Sequence, residues 1–159
     1  MNEPLITKRI KDDDAFFTVQ WSTLKRAEKF EILASVPSVS GIVELYFEDS
    51  NHTLNYIDMY RAWYGGLRNV LRELVDPTIA REAGLRELAK RRVLVYRYSM
   101  SNSHADISDV LYFFANVRKR QPVQTGAPGV PRDSSPTEPS GRFRYIYVNE
   151  ESPDKLVTI

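Results

Sequence analysis

Residues 41–74, GIVELYFEDSNHTLNYIDMYRAWYGGLRNVLREL, constrain the fold more than any other stretch. Strand alternation puts Ile42, Glu44, Tyr46 and Glu48 on one face and Val43, Leu45 and Phe47 on the other. Asp49-Ser50-Asn51-His52 is a run of turn formers. Residues 54–63 then predict a return strand, so the segment opens as an antiparallel hairpin. Glu44 and Glu48 are expected to mark its wet face. Gly65-Gly66 interrupts the second strand. Beyond it, Leu67, Val70, Leu71 and Leu74 recur at i, i+3, i+4 and i+7, the period of a helix buried on one side. The double glycine predicts a tight strand-to-helix turn. No Lys-Ser/Thr follows it, so it is not a phosphate loop.

The flanking elements follow by the same rules. Residues 1–13 are polar and charged and predict a loose arm. Residues 15–21, AFFTVQW, are aromatic and β-branched and predict a strand. Ser22 or Thr23 can cap a helix running to about Ser35. Asp76-Pro77 supplies an N-cap and first-turn proline for a helix to about Arg92. Residues 92–100, RVLVYRYSM, predict a strand. Asp106 or Ser108 can cap a last helix with Ile107, Val110, Leu111, Phe114 and Val117 on its apolar face, ending at Arg118-Lys119-Arg120. Five prolines punctuate residues 121–141, which predict a flexible loop without a core of its own. Residues 142–149 predict a strand returning to the sheet. The 159 residues suit one domain.

Composition excludes some chemistry. The formal net charge is +1, so any attraction for nucleic acid must be local. There is no cysteine, which excludes disulfides, thiolate metal sites and a cysteine nucleophile. No apolar run reaches the ~18 residues of a membrane-spanning helix. The first residues lack a cationic region leading into an apolar one. A cytoplasmic protein with no membrane partner is expected.

The order strand, strand, helix, helix, strand, helix over about 39–122 resembles the GIY-YIG endonuclease domain. Gly41-Ile42-Val43 stand at the first signature, Tyr56 to Tyr60 near the second, and Arg68 and Arg72 on the following helix. The ending RKRQP at 118–122 is similar as well. The resemblance implies an α+β fold with a small mixed β-sheet flanked by helices. In an active member it also implies two tyrosines, a helix arginine and Mg or Mn on a glutamate of the last helix. This chain departs from that pattern. Val43 stands where the first tyrosine belongs, and residues 110–114, VLYFF, carry no carboxylate. Without a metal ion, phosphodiester hydrolysis loses its main electrostatic stabilisation.

The expectation is therefore a non-catalytic binding or scaffold module, with no cofactor and no metal. Its contact face would be Tyr60, Trp63, Tyr64, Arg68 and Arg72, residue types enriched in binding surfaces. Protein and nucleic acid both stay open as partners. The alternative is an endonuclease using Tyr46, Tyr60, Arg68 and Arg72, with Mg or Mn held by Asp106 or Asp109. A third expectation gives function to the proline-rich loop, docking as polyproline II. Against these stand plainer readings. Tyr46, Tyr56, Tyr60, Tyr64, Tyr96 and Tyr98 suit half-buried pleated surfaces. Acids interleave with the helix arginines, as on a solvated face. His52 and His104 fall in predicted loops without ligand spacing.

Overall fold

The computed structural model describes residues 3–79, 82–117 and 138–154. In chain order the elements are β1 (Ile6–Lys11), β2 (Asp14–Gln20), β3 (Lys25–Arg26), α1 (Lys29–Ser35), β4 (Gly41–Glu48), β5 (Leu54–Ala62), α2 (Gly66–Val75), α3 (Ala83–Arg91), β6 (Val93–Met100), α4 (His104–Tyr112), a π-helical turn (Phe113–Val117) and β7 (Tyr145–Glu151). The α+β class stands, but the strands divide into two sheets instead of one. The first has the order β3-β6-β4-β5 and is antiparallel throughout. The second has the order β1-β2-β7, with β1 antiparallel and β7 parallel to β2.

The four-stranded sheet is covered on both faces. Val43, Leu45, Phe47, Tyr60 and Tyr96 pack with Ile32 of α1, Leu67 and Leu71 of α2, and Leu85 and Leu88 of α3. On the opposite face, Ile42 and Met59 join Ile107, Val110 and Leu111 of α4 and the inner side of the second sheet through Ile6, Ala15, Phe17 and Val19. Glu44, expected on a wet face, is therefore fully buried. A bulge in β5 adjusts the hairpin. Leu45 pairs with Asp58 and Tyr46 with Tyr56, which leaves Ile57 as the extra residue. Ile57 thereby joins the helix-side core.

The two sheets meet where the chain leaves β2. The Ser99 hydroxyl donates to the Gln20 carbonyl at 2.8 Å, and the Ser22 amide donates to the Tyr98 carbonyl at 2.8 Å. The double glycine behaves as expected. Gly65 and Gly66 both have φ of +77°, and a Cβ on Gly66 would lie 2.4 Å from the Ser38 carbonyl oxygen. Only glycine fits both conditions.

Several boundaries differ from expectation. Residues 6–11, placed in a loose arm, form β1, with Ile6 buried and the charged side chains on an edge strand. Residues 25–26 pair with β6, so α1 begins only at Lys29, where the Glu28 carboxylate accepts from the Phe30 and Glu31 amides. Asp76 ends α2 instead of starting α3, its carboxylate taken by the Thr78 amide and hydroxyl. Ser103 caps α4, accepting from the Asp106 amide at 3.1 Å. The returning strand begins at Tyr145 and joins the second sheet, not the first. The RKRQP segment and most of the proline-rich loop lie outside the described residues.

Candidate functional site

The five residues expected to form one contact face point in three directions. Tyr60 is buried beneath the helices. Burial first, then the charges of Asp58 and Glu82, push its hydroxyl pKa far above the usual value. Trp63 packs on the opposite side of the sheet, edge-on to His104 with ring centroids 5.0 Å apart. Tyr64 is 89% exposed. Arg68 donates from Nε to the Val36 carbonyl at 2.8 Å and so closes the end of α1. Arg72 is half-buried, and its Nε has no hydrogen-bond partner among the described residues. The sheet pleat and the turn at Gly65-Gly66 separate what lies close in sequence.

The alternative acids lie across the sheet from those arginines. Asp106 and Asp109 sit on α4, whereas Arg68 and Arg72 sit on α2. Asp109 is fully buried and accepts from the Ser140 amide at 2.6 Å, the Ser140 hydroxyl at 2.8 Å and Arg142 at 2.8 Å. Asp106 accepts from Lys8 at 3.0 Å and Arg142 at 2.8 Å. Both carboxylates thus anchor the returning chain to α4. No group of three or more His, Asp or Glu able to hold a metal ion occurs among the described residues. Tyr46 faces the second sheet and Tyr60 the helices, so this tyrosine pair is also divided. His104 opens α4 and faces Arg61, with Nε2 and Nη1 3.0 Å apart. His52 occupies the hairpin turn at φ +60°.

Glu44 belongs to a buried cluster that alternation alone did not reveal. Arg97 Nε donates to its carboxylate at 2.7 Å, and the Tyr46 hydroxyl donates to the same oxygen. Arg97 also reaches Glu150 of β7 at 3.4 Å and lies 4.4 Å over the Trp21 ring. Trp21 Nε1 in turn donates to Glu150 at 2.9 Å. Burial raises the Tyr46 hydroxyl pKa, although Arg97 pulls it back. The cluster ties β4 and β6 to β7 and to the end of β2, so it is a joint between the sheets. Its sequence signal is Arg97, a lone charge inside VLVYRYSM. Beside the joint is a cleft of about 580 Å³ whose walls include Gln20, Trp21, Lys25, Tyr98 and Glu151.

The outer face of the second sheet is different in character. Its pleat directs Thr7, Arg9 and Lys11 of β1, Asp14, Phe16, Thr18 and Gln20 of β2, and Tyr145, Tyr147, Asn149 and Glu151 of β7 to the same side. Arg9, Phe16 and Tyr147 are directly in register. The Arg9 guanidinium lies 5.3 Å from the Phe16 ring. Phe16 and Tyr147 stack at 4.9 Å and 12°. Tyr145 lies 6.5 Å from Tyr147, with Arg144 5.1 Å over its ring. Tyr145 and Tyr147 are 56% and 46% exposed. A hollow of about 380 Å³ opens among Arg9, Phe16, Thr18, Tyr147 and Asn149. Arg144 also reaches Asp14 at 3.4 Å.

A protein-family model described as "Uncharacterised protein" matches residues 5–159, nearly the whole chain. The chain belongs to that family. The match takes in both sheets and the returning strand, so the aromatic face lies within the family's span. No curated protein and no solved structure matches the chain. No helix among the described residues is long and apolar enough to cross a membrane.

Proposed function

We propose that this chain is a non-catalytic binding module whose contact surface is the outer face of the β1-β2-β7 sheet. The observation that carries this reading is the ring set of half-buried Phe16 and exposed Tyr147 and Tyr145, with Arg9 and Arg144 against it. Single exposed apolar residues are ordinary. Adjacent rings in register on one open sheet face form a patch of the kind found at binding surfaces. The order β4-β5-α2-α3-β6-α4 supports a GIY-YIG-like scaffold beneath it. The separation of Asp106 and Asp109 from Arg68 and Arg72 argues against hydrolysis on that scaffold. The absence of cysteine suits a reducing compartment such as the cytoplasm.

Two measurements test the reading. Tyr145→Ser with Tyr147→Ser should lower stability by no more than about 1 kcal/mol per site, the scale of a cross-strand pair. A loss above about 2 kcal/mol per site would make the rings part of the folding core and end the binding reading. The chain with manganese should leave supercoiled plasmid intact. Nicking that disappears in Arg68→Ala or Arg72→Ala would restore the endonuclease alternative.

A further inference from the structure

We infer that the ligand of this face is a single-stranded nucleic acid, its bases stacking on Tyr147 and Tyr145 and its phosphates passing Arg9, Lys11 and Arg144. The inference rests on the binding-module reading above and adds the chemical class of the partner. Arg9, Phe16 and Tyr147 form one row across three strands, with a cation at one end and an exposed ring at the other. Tyr147 lies on β7, an edge strand, so the row ends at open solvent. A nucleobase is a planar π-system that extends such a row without needing a shaped pocket. Base-on-ring stacking is sequence-tolerant for that reason.

Charge favours the same occupant. Arg9, Lys11 and Arg144 surround the rings, and Arg144 offsets the nearby Asp14. Phosphates are complementary to Arg9, which has no ion pair among the described residues and which an apolar protein strand would leave uncompensated, whereas Arg144 already meets Asp14. A duplex hides its base faces and cannot use the rings. The hollow of about 380 Å³ beside Tyr147 and Asn149 gives an unstacked base room for edge contacts.

The test uses the full chain and fluorescein-labelled oligouridylate and oligothymidylate of about twelve nucleotides, within the usual site size. Anisotropy titrations at about 50 and 200 mM salt read affinity and its salt dependence. Both strands should bind, and the tighter one identifies RNA or DNA as the source. Tyr147→Leu keeps the apolar bulk and removes the π-face. It should weaken binding about 5- to 150-fold. Arg9→Gln should reduce the salt slope by about 0.7, the share of one phosphate contact. Near-UV circular dichroism confirms that each variant is folded.

Three results would overturn the inference. The first is no binding of either strand at low salt. The second is binding unchanged in Tyr147→Leu, or displaced equally well by inorganic polyphosphate, which reports charge alone. The third is a dimer, seen by light scattering, that Tyr147→Leu dissociates, which makes the face a contact between two copies. Each leaves the serine stability test untouched, so failure here is distinguishable from failure of the binding-module reading.

Discussion

Arg97→Met is the most demanding test of the joint between the sheets. Arg97 is 2% exposed and Glu44 fully buried, with 2.7 Å between Arg97 Nε and the carboxylate. Removing the guanidinium leaves a buried carboxylate without its cation and takes the cation–π contact from Trp21. Breaking a buried pair from one side costs about 3–5 kcal/mol. A domain of this size shifts its Tm by about 2–4 °C per kcal/mol, so the expected fall is about 6–20 °C. Total stability is of order 5–15 kcal/mol, which makes the loss a large fraction of the whole. Glu44→Leu combined with Arg97→Met removes both charges and should recover most of that loss, because well-packed apolar replacements of a buried pair are often neutral. Urea unfolding followed by far-UV circular dichroism gives the magnitudes, and Trp21 fluorescence reports the joint itself. A loss below about 1 kcal/mol in the single variant would refute the reasoning, since solvent would then be screening the pair. So would a double variant less stable than Arg97→Met.

Three further outcomes are expected. Gly66→Ala forces a positive φ on alanine and drives its Cβ to 2.4 Å from the Ser38 carbonyl oxygen, so it should lose about 2 kcal/mol or more in urea unfolding. The Tyr96 hydroxyl is buried without a well-formed hydrogen bond among the described residues, and its neighbour, the Ser35 hydroxyl, donates to the Glu31 carbonyl at 2.7 Å. Tyr96→Phe should therefore be neutral or stabilising by about 1 kcal/mol, and it should weaken the alkaline destabilisation expected between pH 10 and about 12. The sign follows from a folded pKa raised by burial, whose contribution is complete below pH 10 and lost as pH rises through 12. Asp49 accepts from the Thr53 and Asn51 amides and from Asn55, in the hairpin turn, and these bonds hold its pKa below the ordinary 3.8. Its ionised form thus stabilises the fold above about pH 3.8 and that contribution fades on further acidification. The stability difference between the parent and Asp49→Asn should shrink below that pH, and a difference that widens there would contradict the assignment.

Local chemistry made much of the secondary structure legible. The alternation and turn formers of 42–62 specify the hairpin, and Gly65-Gly66 with the leucine spacing of α2 specify the turn and helix after it. RVLVYRYSM specifies β6 in the same way. The binding face was harder to see. Phe16 appeared within an apolar strand, Arg9 and Lys11 within a charged arm, and Tyr145 and Tyr147 beyond a proline-rich break. Nothing within a short window relates residues 9, 16 and 147. Only the parallel pairing of β7 with β2 brings them into one row.

The sequence by itself determined which segments extend, which coil and where the chain turns, because those choices depend on neighbours within a few residues. It also determined that no thiol chemistry is available. Tertiary structure decided which faces are wet. Glu44 reads as exposed by alternation and is buried because a second sheet and α4 cover that side. Phe16 reads only as part of an apolar strand, and it lies half-buried on the outer face, covered by the Arg9 guanidinium and the Tyr147 ring that neighbouring strands bring to it. Burial is set by what arrives from distant parts of the chain, and that arrival has no local signature.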